Sequence, residues 1–138
     1  MVGANVKWTG KRQFVGTGEK SENSITIDLA KQSGGDNSGV RPTEVFLLGI
    51  ASCTAVDMVN ILTKMKVKLT RCEVKIEGEQ REDYPKYFHT IRLHYLLSGE
   101  DLNHTKAEKA LTLSLDKYCA VSQTLKDRAK FETKIEII

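Results

Sequence analysis

The chain has 138 residues, with 21 lysines and arginines against 18 aspartates and glutamates and a formal charge of +3. That length fits a single domain spanning residues 1–138, which can bury about two-thirds of the surface its unfolded chain exposes, so folding needs neither disulfides nor a metal. The charges alternate in sign, as in Lys130-Phe131-Glu132-Thr133-Lys134-Ile135-Glu136, which describes a solvated face and argues against nucleic-acid binding.

Chain order gives short strands first. Val6 and Trp8 alternate with polar neighbours, Gln13 to Gly18 follow a Gly10-Lys11-Arg12 turn, and Ile25, Ile27 and Leu29 alternate again. Met1 to Trp8 lacks the apolar core of a signal peptide, so a cytoplasmic location is expected. Residues 33–39, Ser-Gly-Gly-Asp-Asn-Ser-Gly, form a loop by composition.

Pro42 suits a first helical position. From Glu44 to Met65 the apolar residues cover nearly every face of a helix, which must then be buried on most sides, by a wrapping sheet or a second subunit. Glu44, Asp57 and Asn60 interrupt this stretch, so no membrane span is expected. Lys64 and Lys66 suit the negative end of its dipole. Two long strands follow, with Cys72, Val74 and Ile76 on one face of the first. In the second, Tyr87, His89, Ile91, Leu93, Tyr95 and Leu97 share a parity, and the two pair as a hairpin around Asp83-Tyr84-Pro85-Lys86.

Asp101-Leu102-Asn103 offers helix caps. Ala107, Ala110, Leu111, Ser114, Leu115 and Tyr118 then mark one helical face, followed by Cys119, a short turn from Gln123 to Arg128, and a final strand through Phe131, Thr133, Ile135 and Ile137. The resulting order of three strands, helix, two strands, helix and strand predicts an α+β fold.

Three cysteines in a chain expected to be cytoplasmic need a reason other than a secretory disulfide framework. Cys53 lies in the apolar helix among Ala51, Ser52, Thr54 and Ala55, whose small side chains leave room beside the sulfur. It reads either as a small core residue or as a reactive thiol, and the second reading requires a nearby cation or hydrogen-bond donors to ionise it. Cys119 falls where the second helix ends, a place that can expose a thiol or simply pack it. Cys72 shares the strand parity of Val74 and Ile76 and reads as core. His89, His94 and His104 do not fall at metal-ligand spacing with the cysteines, so neither a metal nor a cofactor is expected.

Arg41-Pro42-Thr43-Glu44-Val45-Phe46-Leu47-Leu48-Gly49-Ile50-Ala51-Ser52-Cys53-Thr54-Ala55 resembles the first-cysteine motif of the OsmC/Ohr family. Tyr118-Cys119-Ala120-Val121-Ser122-Gln123-Thr124-Leu125 resembles its second, and the Val-Ser-x-Thr ending is similar to a YhfA-like branch. Together, in this order, the two motifs carry the likeness over nearly the whole chain.

The resemblance implies antiparallel sheets wrapped around a long buried central helix in an intertwined homodimer. It also implies a thiol-dependent peroxidase that reduces organic and hydrogen peroxides in oxidative-stress defence. Cys53 would become a sulfenic acid, Cys119 would condense with it, and a dithiol reductant would open the disulfide. In the family an arginine supports the thiolate and a glutamate holds that arginine. Arg12 or Arg41 are the candidates for the first role and Glu44 for the second. Glu44 stands nine residues before Cys53, on the opposite helical face, where it suits a helix N-terminal carboxylate instead. The alternative is a relative without peroxidase activity that binds a small apolar molecule or senses redox state at the dimer interface.

Overall fold

A computed structural model describes all residues, 1–138. Strand β1 (Ala4–Gly10) turns at Gly10 and Lys11, both at positive φ, into β2 (Gln13–Gly18). That strand pairs in turn with β3 (Ser24–Ile27), and both pairings are antiparallel. These strands and the loop that follows belong to the first of two compact units, Met1–Phe46 and Leu47–Ile138.

The loop is organised by one carboxylate that the sequence reading passed over. Asp28 is only 1 % exposed. It accepts from the backbone N–H groups of Leu29 (2.8 Å), Asp36 (3.0 Å) and Ser38 (3.1 Å) and from the Ser38 hydroxyl (2.6 Å). The Ser38 hydroxyl first, and then these amides, hold the Asp28 carboxyl well below the usual carboxylate range, against the opposing effect of burial. The stretch read as loop contains a single 3-10 turn at Lys31–Ser33 and closes with a parallel bridge between Ile27 and Val40.

Helix α1 (Pro42–Lys64) starts as its sequence dictates. Pro42 occupies the first helical position, the Arg41 carbonyl accepts from Val45 N–H (2.9 Å), and the Glu44 carboxylate reaches back to the Arg41 N–H (2.8 Å). Glu44 thus closes one half of a capping box on its own helix.

In the second unit, Ile50, Thr54, Met58 and Leu62 follow each other at intervals of four along α1 and are wholly buried. Ala51 is also buried, while Leu48, Val56 and Val59 on other faces are 40–59 % exposed. The chain therefore covers one side of α1, short of the burial on most sides that an all-round apolar helix demands. The helix is also long and apolar enough by length and composition to cross a membrane, which corrects the expectation drawn from its three polar interruptions. Its packed stripe is that of a core helix.

Strand β4 (Lys68–Gln80) pairs antiparallel with β5 (Phe88–Glu100), setting Cys72 opposite Leu97, Val74 opposite Tyr95 and Ile76 opposite Leu93. The parity expected for β5 holds for Ile91, Leu93, Tyr95 and Leu97, which are all buried, but not for Tyr87, which lies before the strand and is exposed, and Leu96 of the other parity is buried as well. His94, on the other face, contacts Glu136 at 2.8 Å. Strand β6 (Lys130–Ile137) joins β5 in parallel, so the expectation of purely antiparallel sheets holds for the first sheet and not the second. A parallel partner requires a crossover, and the intervening helices supply it.

That crossover departs from the expected single helix and turn. Helix α2 (His104–Leu113) is capped by Asn103, whose side chain accepts from Lys106 N–H at 2.9 Å. A wider π-helical turn follows at Ser114–Tyr118, closed by Cys119 N–H donating to the Ser114 carbonyl (2.7 Å). The widening takes Tyr118 off the face shared by Ala107, Ala110, Leu111 and Ser114, and it is 54 % exposed. A second helix, α3 (Ala120–Leu125), occupies part of the expected Gln123–Arg128 turn. There the Ser122 and Thr124 hydroxyls bond back to carbonyls of the preceding turn, so residues that favour turns are accommodated in a helix.

Candidate active site

Cys53 owes its position to its neighbour. Thr54 is fully buried, donates to the Ala51 carbonyl (3.1 Å) and accepts from the Tyr95 hydroxyl (2.9 Å). This bond bolts α1 to β5. Tyr95 is itself wholly buried, and burial pushes its phenol up to about 12, so it remains a neutral donor over the physiological range. With Thr54 turned fully inward, Cys53 sits one helical step round, half-buried at the margin of the core.

Cys119 comes from the crossover. The π-helical turn ends at this residue, whose backbone is extended (φ −75°, ψ 105°) and which serves as the N-cap of α3. Its sulfur is wholly buried and accepts from Ser122 N–H at 3.4 Å. The two sulfurs, 66 residues apart in sequence, are close enough here for the Cys119 thiol to act on that of Cys53, and the Val121 N–H acts on the same sulfur.

Burial first, then the Cys119 thiol and the Asp57 carboxylate, push the Cys53 thiol above its ordinary value, while the Val121 N–H pulls the other way. At neutral pH the Cys53 thiol is therefore ionised to a smaller extent than an ordinary cysteine. None of these influences is a cation. Cys72, by contrast, is half-buried on β4 and packed beside the core, and burial alone raises it.

The remaining candidates have partners of their own. Arg12 belongs to the first unit, where its guanidinium donates to the Lys11 carbonyl (3.2 Å) and its stem stands beside Gly34. The Arg41 guanidinium donates to the Asn37 side chain (2.7 Å) and the Gly39 carbonyl (3.1 Å). Glu44 binds the backbone N–H of Arg41 rather than any guanidinium. No group of three His, Cys, Asp or Glu side chains is placed to hold a metal ion.

Two residues beside the cysteines escaped the sequence reading. Asp57 follows Cys53 by one helical turn and accepts from the Ser114 hydroxyl at 2.8 Å. It also lines a cavity of about 360 Å³ with Asn60, Ile61, Lys64, Lys109 and Tyr118. The spacing of Cys53 and Asp57 is visible in the sequence, whereas the partnership with Ser114 depends on a helix that joins this site from 57 residues away.

With this geometry the chain is similar to known proteins along its whole length. Residues 35–134 match the OsmC-like protein family. Protein YhfA of Escherichia coli K12 is 33 % identical, the alignment covering 98 % of this chain and 97 % of YhfA. A crystal structure of a protein from Aquifex aeolicus VF5 superposes with a TM-score of 0.86 at 25 % identity, over 100 % of this chain and 96 % of the other. An organic hydroperoxide resistance protein from Elizabethkingia anophelis shares the fold, with a TM-score of 0.74 at 16 % identity, over 100 % and 96 % of the two chains.

Proposed function

The chain belongs to the OsmC-like protein family, and on that premise we propose that it is a thiol-dependent peroxidase using Cys53 and Cys119. The observation that carries this reading is the meeting of a half-buried thiol with a fully buried one. The more accessible sulfur suits attack on a peroxide, and the covered one suits capture of the product.

In the first step the Cys53 thiolate attacks one peroxide oxygen. The O–O bond breaks, the alcohol leaves with a proton from the medium, and sulfur is oxidised to the sulfenic acid. The Cys119 sulfur then attacks the Cys53 sulfur, the S–S bond forms, and water departs. A dithiol reductant restores both thiols by exchange, leaving as its own disulfide. The Val121 N–H supports the developing Cys53 thiolate, and deprotonation of this raised thiol makes the reaction faster as pH rises. On this reading the protein serves in cytoplasmic defence against organic hydroperoxides. It acts as a homodimer whose second copy covers the exposed Leu48, Val56 and Val59 of α1.

The test is anaerobic thiol counting after one equivalent of cumene hydroperoxide. The expected result is loss of two thiols of three, abolished by Cys53→Ser and unaffected by Cys72→Ser. Retention of all thiols in the wild type overturns the reading. One observation favours the alternative, a redox-sensing or ligand-binding relative without turnover: Cys53 is raised, and no cation is among the influences acting on it. On that reading the disulfide forms with a disulfide donor while peroxide leaves the thiols intact.

A further inference from the structure

Both cysteines are tied to one small polar latch. Asp57 lies one turn beyond Cys53 on α1, and its carboxylate takes the Ser114 hydroxyl at 2.8 Å. Ser114 is wholly buried and opens the π-helical turn. Its carbonyl takes the Cys119 N–H at 2.7 Å, closing that turn. Covalent and hydrogen bonds therefore run without interruption from Cys53 through one helical turn to Asp57, across to Ser114, and back to Cys119. π-helical turns are uncommon and concentrate at functional sites. This one fixes where the second sulfur emerges.

We propose that Asp57 and Ser114 are positioning residues, which hold the Cys119 turn in register with Cys53 for disulfide formation. The charge of Asp57 carries a cost that a purely structural anchor would not have. It stands near the Cys53 sulfur and opposes ionisation, together with burial and the Cys119 thiol. Tyr95, on β5, lies within the field of both Cys119 and Asp57 and stays neutral. Lys64 and Lys109 line the same cavity as Asp57. Asp57 thus favours closure of the S–S bond and disfavours the first ionisation.

The inference concerns the same cysteine pair as the proposed peroxidase, but its test needs no peroxide. Two quantities are read on the folded, reduced protein: the rate of Cys53 alkylation by iodoacetamide as a function of pH, and the fraction of disulfide at equilibrium in a glutathione buffer. In that buffer two protein thiols and one glutathione disulfide exchange for one protein disulfide and two glutathione thiols. Asp57→Asn keeps an acceptor for Ser114 and removes the charge. Its expected effect is alkylation about threefold faster at neutral pH, from charges roughly 6 Å apart in a near-aqueous medium, with the disulfide equilibrium moved less than about threefold.

Ser114→Ala removes the latch and keeps the charge. Because the latch is already made in the reduced protein, its loss acts by freeing the Cys119 turn to leave Cys53, and it lowers the disulfide equilibrium constant by up to roughly tenfold. Unaltered alkylation in Asp57→Asn together with an unaltered equilibrium in Ser114→Ala overturns the proposal. An equal loss of disulfide in both variants does so too, since it reports general loosening. If peroxide spares the wild-type thiols while these two variants separate as described, the latch stands and the peroxidase reading falls.

Discussion

The buried bond between Tyr95 and Thr54 allows a prediction in which a second mutation repairs the first. Thr54→Val removes the acceptor of the Tyr95 hydroxyl, at 2.9 Å, and leaves a phenol donor without that partner in a site with no solvent exposure. A buried donor without a partner costs about 1–3 kcal/mol. Tyr95→Phe acts differently. The Thr54 hydroxyl still donates to the Ala51 carbonyl at 3.1 Å, so only one lone pair loses its partner and the cost is about 1 kcal/mol. Replacing both groups leaves nothing unsatisfied, and such double replacements are close to neutral. Adding Tyr95→Phe to Thr54→Val should therefore recover about 1–2 kcal/mol. Urea unfolding of the four proteins, at one fixed protein concentration so that association cannot shift the midpoint, measures this directly. A double variant less stable than Thr54→Val alone refutes the reasoning, because the bolt would then not be the hydrogen bond.

Three further outcomes follow from the same geometry. Burial raises Tyr95 to about 12, so the neutral phenol stabilises the fold fully below pH 10 and the benefit is lost as pH climbs through 12. Wild-type protein should lose about 2 kcal/mol more than Tyr95→Phe between pH 9 and 12, measured by urea unfolding at those two values, and equal losses would exclude the assignment. Glu44→Ala removes half a capping box and should cost about 0.5–1 kcal/mol while leaving the Cys53 alkylation rate within twofold, and a larger kinetic effect would restore Glu44 to the active site. Sedimentation at micromolar concentration should give a dimer for the wild type and smaller species for Leu48→Glu combined with Val56→Glu, since both side chains are more than half exposed on the uncovered side of α1.

Much of the architecture was legible because it rests on periodicity. Alternation fixed the inward face of β5, and Pro42 with Glu44 fixed the start of α1. What remained hidden involves partners distant in sequence. Periodicity says which residues face inward but not whether the neighbouring strand runs parallel, so the antiparallel expectation failed at β6. The Ser114–Tyr118 turn was hidden for another reason. It has the composition of ordinary α-helix, and only packing reveals that Tyr118 leaves the face set by Ala110 and Leu111. Asp28 was missed because a lone carboxylate beside a Gly- and Ser-rich loop resembles a solvated one until the amides it gathers are seen.

The same distinction explains how far the site could be read. Cys53 and Cys119 stood out through the residues around them, but their meeting depends on Thr54 turning inward to Tyr95 and on Ser114 joining Asp57. These bonds link α1 to β5 and to the crossover, and neither has a local signature. They also set the chemistry in opposition. The contacts that bring the sulfurs together are made by burial and by a carboxylate, and both make the first thiol harder to ionise. A pair arranged in this way is better prepared to close a disulfide than to begin an attack. Burial and the Cys119 thiol are the larger brakes on the Cys53 thiol and the Asp57 charge the smaller one, so removing that charge should free the nucleophile modestly while leaving the sulfurs side by side.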